Sequence, residues 1–322
     1  MPFRIYNLRS RRKRPGLRPQ HALSARAAAQ VTKGSLEGCV EGSRTLTYLP
    51  GKIKSGRYFF DCGTAGSLSL VFQTILAPLA FSEANSSVTF KGGTHVPWSP
   101  PTCYIEEVFL PLLSPIGLAA GFSTVSRGYY PAGGGEASAQ IKPVKAPLAP
   151  FIITGRGKLV RVRVTSAVSN LPLSIAERQL NSASELLSNF PVETVLTEAP
   201  SPGRGTSVFI LAEFENSRAG FSALGAPVKR AEAVGVEAAM AFLEYMGKEG
   251  ALDPHLSDQA LIYMALAGGE SSFTTTEITG HLLTNVHVIE KFLPVKFSVE
   301  GPAGFEGSVA VRGAGFEKRF SG

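Results

Sequence analysis

The order in which strand, loop and helix signals follow one another constrains this chain more than any single motif. "FRIYNL" (3–8) alternates apolar and polar residues and predicts a strand. A loop punctuated by Pro15 and Gly16 then leads into "HALSARAAAQVTKG", which predicts a helix ending near Gly34. "TLTYLPG" and "GRYFFDCG" predict strands on either side of a turn. "GTAGSLSLVFQTILAPLAF" (63–81) is a Gly-rich turn entering an apolar helix. "SSVTFKGGT" returns to a strand, and "PWSPPTCYIEEVFLPLLSPIG" starts on prolines and becomes a helix. Strand, Gly/Pro loop and helix thus recur, which is the mark of a repeated α/β unit. The first copy starts in its middle: "SSVTF" has a Gly-led helix before it and "FRIYNL" has none. A third copy follows late in the chain, with "HLSDQALIYMALAGG" (255–269), "HLLTNVHVIEKFL" (281–293), "VKFSVEG" and "GSVAVRG".

Between the second and third copies the texture changes. "KLVRVRV" (158–164) has strict period two. "SIAERQLNSASELLSNF" opens with Ser174 and Glu177 at capping-box spacing and predicts a helix. "SVFILAEF" predicts a strand and "VKRAEAVGVEAAMAFLEYM" a long helix. The expected organisation is an α/β fold with repeats 1 (partial) and 2 over 1–166, an inserted small α/β domain over 167–248, and repeat 3 over 249–322.

With 322 residues, 44% hydrophobic and 18% charged, the composition is globular. The net charge of +7 is local: the first 36 residues hold nine Lys or Arg and no acid, which leaves 23 basic against 25 acidic side chains elsewhere. The stretch "LRSRRKRPGLRPQH" (8–21) is therefore where a polyanion would be met. Alone it reads equally as a solvated arm, a localisation signal or part of a folded site. Cys39, Cys62 and Cys103 are few and widely spaced, without zinc-ligand spacing, which fits a reducing compartment. The nucleus or the cytoplasm is expected, with the nucleus favoured by the basic run. No apolar run reaches the ~18 residues of a membrane span, and no apolar core of a secretory signal follows the first charges.

Several segments have the chemistry of a site. "PAGGGE" (131–136) lacks the Lys-Ser/Thr of a phosphate-binding loop and favours a turn. "GTAGS" (63–67), ahead of a helix, could offer amides to a phosphate or simply pack helix on sheet. The five histidines, His21, His95, His255, His281 and His287, show no metal spacing. His281 opens a predicted helix, either as a plain helix-start residue or as a neutral nucleophile whose ring the helix dipole keeps unprotonated. No G-x-S-x-G elbow is present, which argues against a serine hydrolase.

"RPGLRPQH" (14–21), "GTAGS" with "LVFQTILAPL", "GGTHVPWSPP" (92–101), "RGYYPAGGG" (127–135), "SDQALIYMALAGG" and "HLLTNVHVIEKFLPVKF" occur in this order. Together they closely resemble the RNA 3′-terminal phosphate cyclases, over nearly the whole chain from Phe3. The resemblance implies a large domain of three βαβαββ-like repeats with a small α/β domain inserted between the second and third. It also implies ATP-dependent conversion of RNA 3′-phosphate ends to 2′,3′-cyclic phosphates through a covalent histidine–AMP intermediate, with RNA as partner, ATP as cosubstrate, and Mg²⁺ or Mn²⁺ as divalent cation. By the same resemblance His281 is the nucleophile. His255 stands where the family has an aromatic residue over adenine, with Asp258 as the acid of the "DQ" pair. Pro100 forms the other wall of the adenine site, Gln73 lies near the nucleotide phosphates, and Arg9, Arg12, Gln20 and His21 line the phosphate side of the site. Arg11, Lys13 and Arg14 are expected to face solvent.

One departure bears on activity. Family members carry a strand and a helix of the form G-x-G-G-G-Q-x-x-R before the segment equivalent to "FRIYNL", bearing a metal-associated acid and an ATP-facing Arg. This sequence lacks that stretch, so a shortened gene product with impaired activity is expected, its metal ligands unassigned. The alternative from the same resemblance is a non-catalytic relative acting in ribosome biogenesis or RNA binding. The presence of His281 argues against it.

Overall fold

The structure is a computed structural model, and it describes residues 1–316. The last six residues of the expected 249–322 segment lie outside the described residues.

The first copy contains β1 (Phe3–Ile5), α1 (Pro19–Thr32), β2 (Ser35–Glu37) and β3 (Leu46–Leu49), with the strands ordered β1-β3-β2 and antiparallel. β1 is shorter than the alternation of 3–8 predicts. Asn7 and Arg9 take left-handed backbone angles (φ 56 and 51), which turn the chain into the basic loop.

The second copy runs β4 (Arg57–Asp61), α2 (Leu68–Ala80), β5 (Ser86–Gly92), a helix over residues 102–113, β6 (Ala120–Ser126) and β7 (Gly135–Ile141). Its strand order is β4-β5-β7-β6, with only β4 and β5 parallel. The helix consists of α3 (Thr102–Tyr104), a π-helical turn (Ile105–Phe109) and α4 (Leu110–Leu113). Pro111 explains the wide turn. A regular α-helix would press its ring against the carbonyl of Glu107, and the Leu110 N–H bond to Ile105 O opens the ladder by one residue just before it.

The third copy starts with β8 (Ile152–Ile153) and is interrupted by the insertion: β9 (Leu159–Ser169), α5 (Leu173–Leu186), β10 (Val192–Glu198), β11 (Gly205–Phe214), β12 (Arg218–Leu224) and α6 (Ala231–Met246). It resumes with α7 (Pro254–Leu266), β13 (Gly268–Thr275), α8 (Gly280–Phe292), β14 (Phe297–Glu300) and β15 (Gly307–Ala314). The sheet β8-β13-β15-β14 repeats β4-β5-β7-β6 strand for strand, including the single parallel pair. Removing β4 and α2 from that pattern leaves the β1-β3-β2 arrangement of the first copy. The fold is thus α/β, three times over, with the break in the third copy falling between its first strand and first helix.

The insertion forms its own sheet, β10-β9-β11-β12, in which α5 makes the crossover between parallel β9 and β10. Its core joins Val162, Val164, Val208 and Ile210 from the strands to Ala183, Ala238 and Phe242 from α5 and α6. α5 begins at Leu173 behind Pro172, with no side-chain cap, so the capping box expected of Ser174 and Glu177 does not form. Pro172 already fixes the entry, and Ser174 falls inside the first turn.

The chain divides into two compact units: residues 1–102, 119–144 and 200–203 in one, and residues 103–118, 145–199 and 204 onward in the other. The first has an aromatic core in which Phe72 meets Phe122 edge-on at 4.9 Å and Phe90 lies 5.7 Å from Phe122. Among the described residues no helix is long and apolar enough to cross a membrane.

Candidate active site

α8 (Gly280–Phe292) starts just beyond the carboxyl end of β13 (Gly268–Thr275). Ligands of α/β sheets gather beyond such ends. His281 is the second residue of α8 and is exposed. Thr279 caps the helix, its Oγ1 accepting from Leu282 N at 3.0 Å. The approach to this cap is fixed by backbone bonds from Thr276 N to Leu252 O and from Ile278 N to Phe305 O. The first amides of a helix precede its hydrogen-bond ladder and leave a positive end, so the imidazole stands where negative charge is favoured.

Beside it, α7 supplies two carboxylates, both with pKa values raised by burial. Asp253 caps α7 and accepts from the amides of His255 and Leu256, both at 2.9 Å. It is buried, and burial raises its pKa against the opposing effect of those bonds. Asp258, one turn on, is pushed up to about 6, first by burial and then by Asp253, with His255 and His281 pulling the other way. Asn285, one turn below His281, donates from Nδ2 to Asp258 O at 3.4 Å and sets the crossing of α7 and α8. His255 and His281 thus both act electrostatically on Asp258.

The other unit holds the remaining predicted residues. The basic stretch is a closed, folded loop: Gly16 N bonds Leu8 O and Leu8 N bonds Arg44 O. Gly16 has φ +83, and a Cβ there would come within 2.2 Å of Gly42 O, so this crossing admits only glycine. Arg9 braces the loop from inside, its Nη1 donating to Arg14 O and Gly16 O at 3.1 and 3.2 Å. Arg11, Arg12, Lys13 and Arg14 are exposed. His21 accepts at Nδ1 from Arg18 N (3.1 Å), which places its proton on Nε2; burial, then Arg9 and Arg18, lower its pKa. Gln20 donates from Nε2 to Ser67 O at 3.3 Å, tying α1 to the start of α2, while its Oε1 is buried without a partner. Gln73 is half-buried on α2, and Pro100 is half-exposed in the loop before α3.

The amides at the start of α2 are used internally. Leu68 N donates to Gly93 O and Leu70 N to Ser67 Oγ, so "GTAGS" packs helix on sheet. "PAGGG" packs onto it: a Cβ on Gly133 would lie 2.4 Å from Thr64 O. Burial, reinforced by Asp61, pushes the Cys62 thiol up to about 12, which disfavours its thiolate. His95 is buried, bonded through Nδ1 to Thr94 Oγ1 at 2.8 Å, and burial holds it well below the usual imidazole range. Sequence reasoning missed the buried Tyr104–Asp253 pair, although "DPH" before an apolar run is an N-cap signal that identifies Asp253. Among the described residues no group of three or more His, Cys, Asp or Glu is placed to hold a metal ion.

A family model described as RNA 3′-terminal phosphate cyclase matches residues 1–299. An RNA 3′-terminal phosphate cyclase of Staphylothermus marinus is 40% identical over 98% of this chain and 91% of its own length. One from Methanothermobacter thermautotrophicus is 40% identical over 96% and 91%, and one from Nostoc punctiforme 40% identical over 90% and 86%.

Proposed function

The chain belongs to the RNA 3′-terminal phosphate cyclase family, and from that membership we propose that it uses ATP to convert RNA 3′-phosphate ends to 2′,3′-cyclic phosphates with His281 as its covalent nucleophile. A ring nitrogen of His281 attacks the α-phosphorus of ATP. The N–P bond forms as the bond to the bridging oxygen breaks, and pyrophosphate leaves. The adenylyl group then passes to the terminal phosphate of RNA and frees the imidazole. The neighbouring 2′-hydroxyl attacks that phosphorus, gives up its proton and expels AMP, closing the ring. Covalent catalysis suits the problem: a phosphate monoester is a poor electrophile until it carries a good leaving group.

The observation that carries this reading is the exposed imidazole of His281 on the first turn of α8, near enough to the half-buried Asp258 to lower that carboxyl's pKa. A carboxylate at that position stabilises the charge the ring gains on attack. His255, with a flat imidazole face in place of the family's aromatic ring, and Pro100 hold adenine. Gln73, Arg9, Arg12, Gln20 and His21 serve the phosphates, the arginines by charge-assisted donation. Among the described residues no group of three or more His, Cys, Asp or Glu is placed to hold a divalent cation.

Incubation with ATP labelled at the α-phosphate tests the reading. An acid-labile protein adenylate is expected in the native chain and is lost in His281→Ala. Label that survives His281→Ala refutes the assignment, and a native chain that takes no label is a non-catalytic relative.

A further inference from the structure

We propose that Trp98 and Tyr130 form a stacking platform for the unpaired bases of the RNA substrate next to its 3′ end, an inference that rests on the cyclase reading above. Trp98 is 100% exposed and Tyr130 71% exposed. Tryptophan is normally among the more buried residues, and this is the one tryptophan of the chain. The two rings lie on neighbouring loops of one unit. Thr94 N and His95 N both donate to Gly128 O, at 3.0 and 3.1 Å, and Gly128 N donates back to Thr94 Oγ1 at 3.0 Å. His95 pairs with Tyr129, whose ring is buried 5.8 Å from the imidazole, so the next side chain, Tyr130, turns outward.

The backbone that presents Trp98 is unusual. Its φ of +67 is a left-handed value that a bulky residue adopts only when its surroundings impose it. The loop is anchored on buried Val96, whose carbonyl accepts from Ser99 Oγ at 3.3 Å. An aromatic ring presented in solvent gives a nucleobase a stacking face, and single-stranded RNA is recognised by such faces beside a cationic surface. The cations are in the same unit. Arg127 reaches the Tyr129 hydroxyl at 3.4 Å, and the exposed Arg11–Arg14 run lies on the loop before Gln20, which bonds Ser67 at the same carboxyl end of β4 and β5. Phosphates held by that loop would leave the adjoining bases to the two rings.

The single tryptophan makes the test direct. The native chain is titrated with a single-stranded RNA ending in a 3′-phosphate, without ATP, following indole emission and, separately, the anisotropy of a dye on the RNA. Emission is expected to quench in step with anisotropy, and ATP alone leaves it unchanged. Trp98→Ala and Tyr130→Ala each raise the RNA KM by about 5- to 100-fold, a loss seen in RNA use and not in labelling of His281 by ATP, and Trp98→Phe recovers most of it. RNA binding with unchanged emission, an unchanged KM in Trp98→Ala, or quenching by ATP alone overturns the platform. Absence of His281 labelling in the native chain overturns the cyclase reading instead, and the binding titration still decides the stacking.

Discussion

Tyr104 donates its phenolic hydrogen between the two carboxylate oxygens of Asp253, 3.0 and 2.9 Å away, inside a site closed to solvent. The same carboxylate caps α7 through two amides, so one buried charge joins the helix over residues 102–113 to the helix that bears Asp258. A buried carboxylate is tolerated because all its bonds are made.

Tyr104→Phe removes one donor and leaves that charge short of a partner at nearly constant volume. A destabilisation of about 1–3 kcal/mol is expected. Because burial already raises the pKa of Asp253, losing the donor raises it further, so the deficit is larger at neutral than at acidic pH. Urea unfolding across that range measures it; a deficit that stays flat with pH means that Asp253 is not charged in the folded chain.

Asp258 carries a second pH dependence. Its folded pKa, about 6, lies above the ordinary 3.8. The folded chain therefore holds that proton more tightly than the unfolded one, and the stability so gained is present below the unfolded value and lost as pH rises toward 6. Relative to Asp258→Asn, the native chain should lose about 3 kcal/mol between those limits and no more above them. Thermal unfolding of the two proteins in a pH series tests this, with parallel curves as the contrary result. His281 adenylation should rise as the pH passes through about 6, where Asp258 ionises in the folded chain, and lose that inflection in Asp258→Asn.

How far the sequence was readable depended on side-chain size. The long apolar helices at 68–80 and 254–266 carried their own signal, and so did period-two β9. β7 ("GEASAQI") and β12 ("RAGFSAL") went unread because they bury Ala and Gly where a strand is recognised by Val and Ile, and β6 ("AGFSTVS") because Phe122 is its only buried side chain. Ala137 and Ala139 are almost wholly buried, yet alanine gives hardly any alternation. At the site, helix-start spacing singled out His281 but left its role open; the nucleophile proposal comes from the resemblance carried by six ordered motifs. Trp98 had no signal, since only the structure shows that a tryptophan in a proline-rich loop is outside the core.

Arg156 holds the entry to the insertion. Its guanidinium lies 4.2 Å over the Tyr245 ring and 5.5 Å from the Phe214 ring, and Nη1 donates to Tyr245 O at 3.1 Å. Arg156→Ala is expected to cost about 2 kcal/mol. Arg156→Lys recovers only part of it, because an ammonium cannot stack flat while donating sideways. Chemical denaturation reads both, and full recovery in the lysine variant shows that charge alone matters.

The crossing of α5 and α6 depends on the absence of a side chain at Gly235. A Cβ there would sit 2.1 Å from the Gln179 carbonyl oxygen and 2.2 Å from Ser182 Oγ. The serine can rotate away, but the backbone carbonyl cannot, so the helices must part. Elsewhere in a helix Gly→Ala stabilises by roughly 0.5–1 kcal/mol; here the sign reverses, and Gly235→Ala should destabilise by about 1–3 kcal/mol through overpacking. The strain should spread to Gln179, whose Oε1 accepts from Ser166 and Thr206 in the buried centre of the insertion. Hydrogen exchange should therefore speed up in α5 and β9, while the aromatic core around Phe72 keeps its protection. A variant as stable as the native chain, with unchanged exchange in α5, would show that the two helices can separate at no cost.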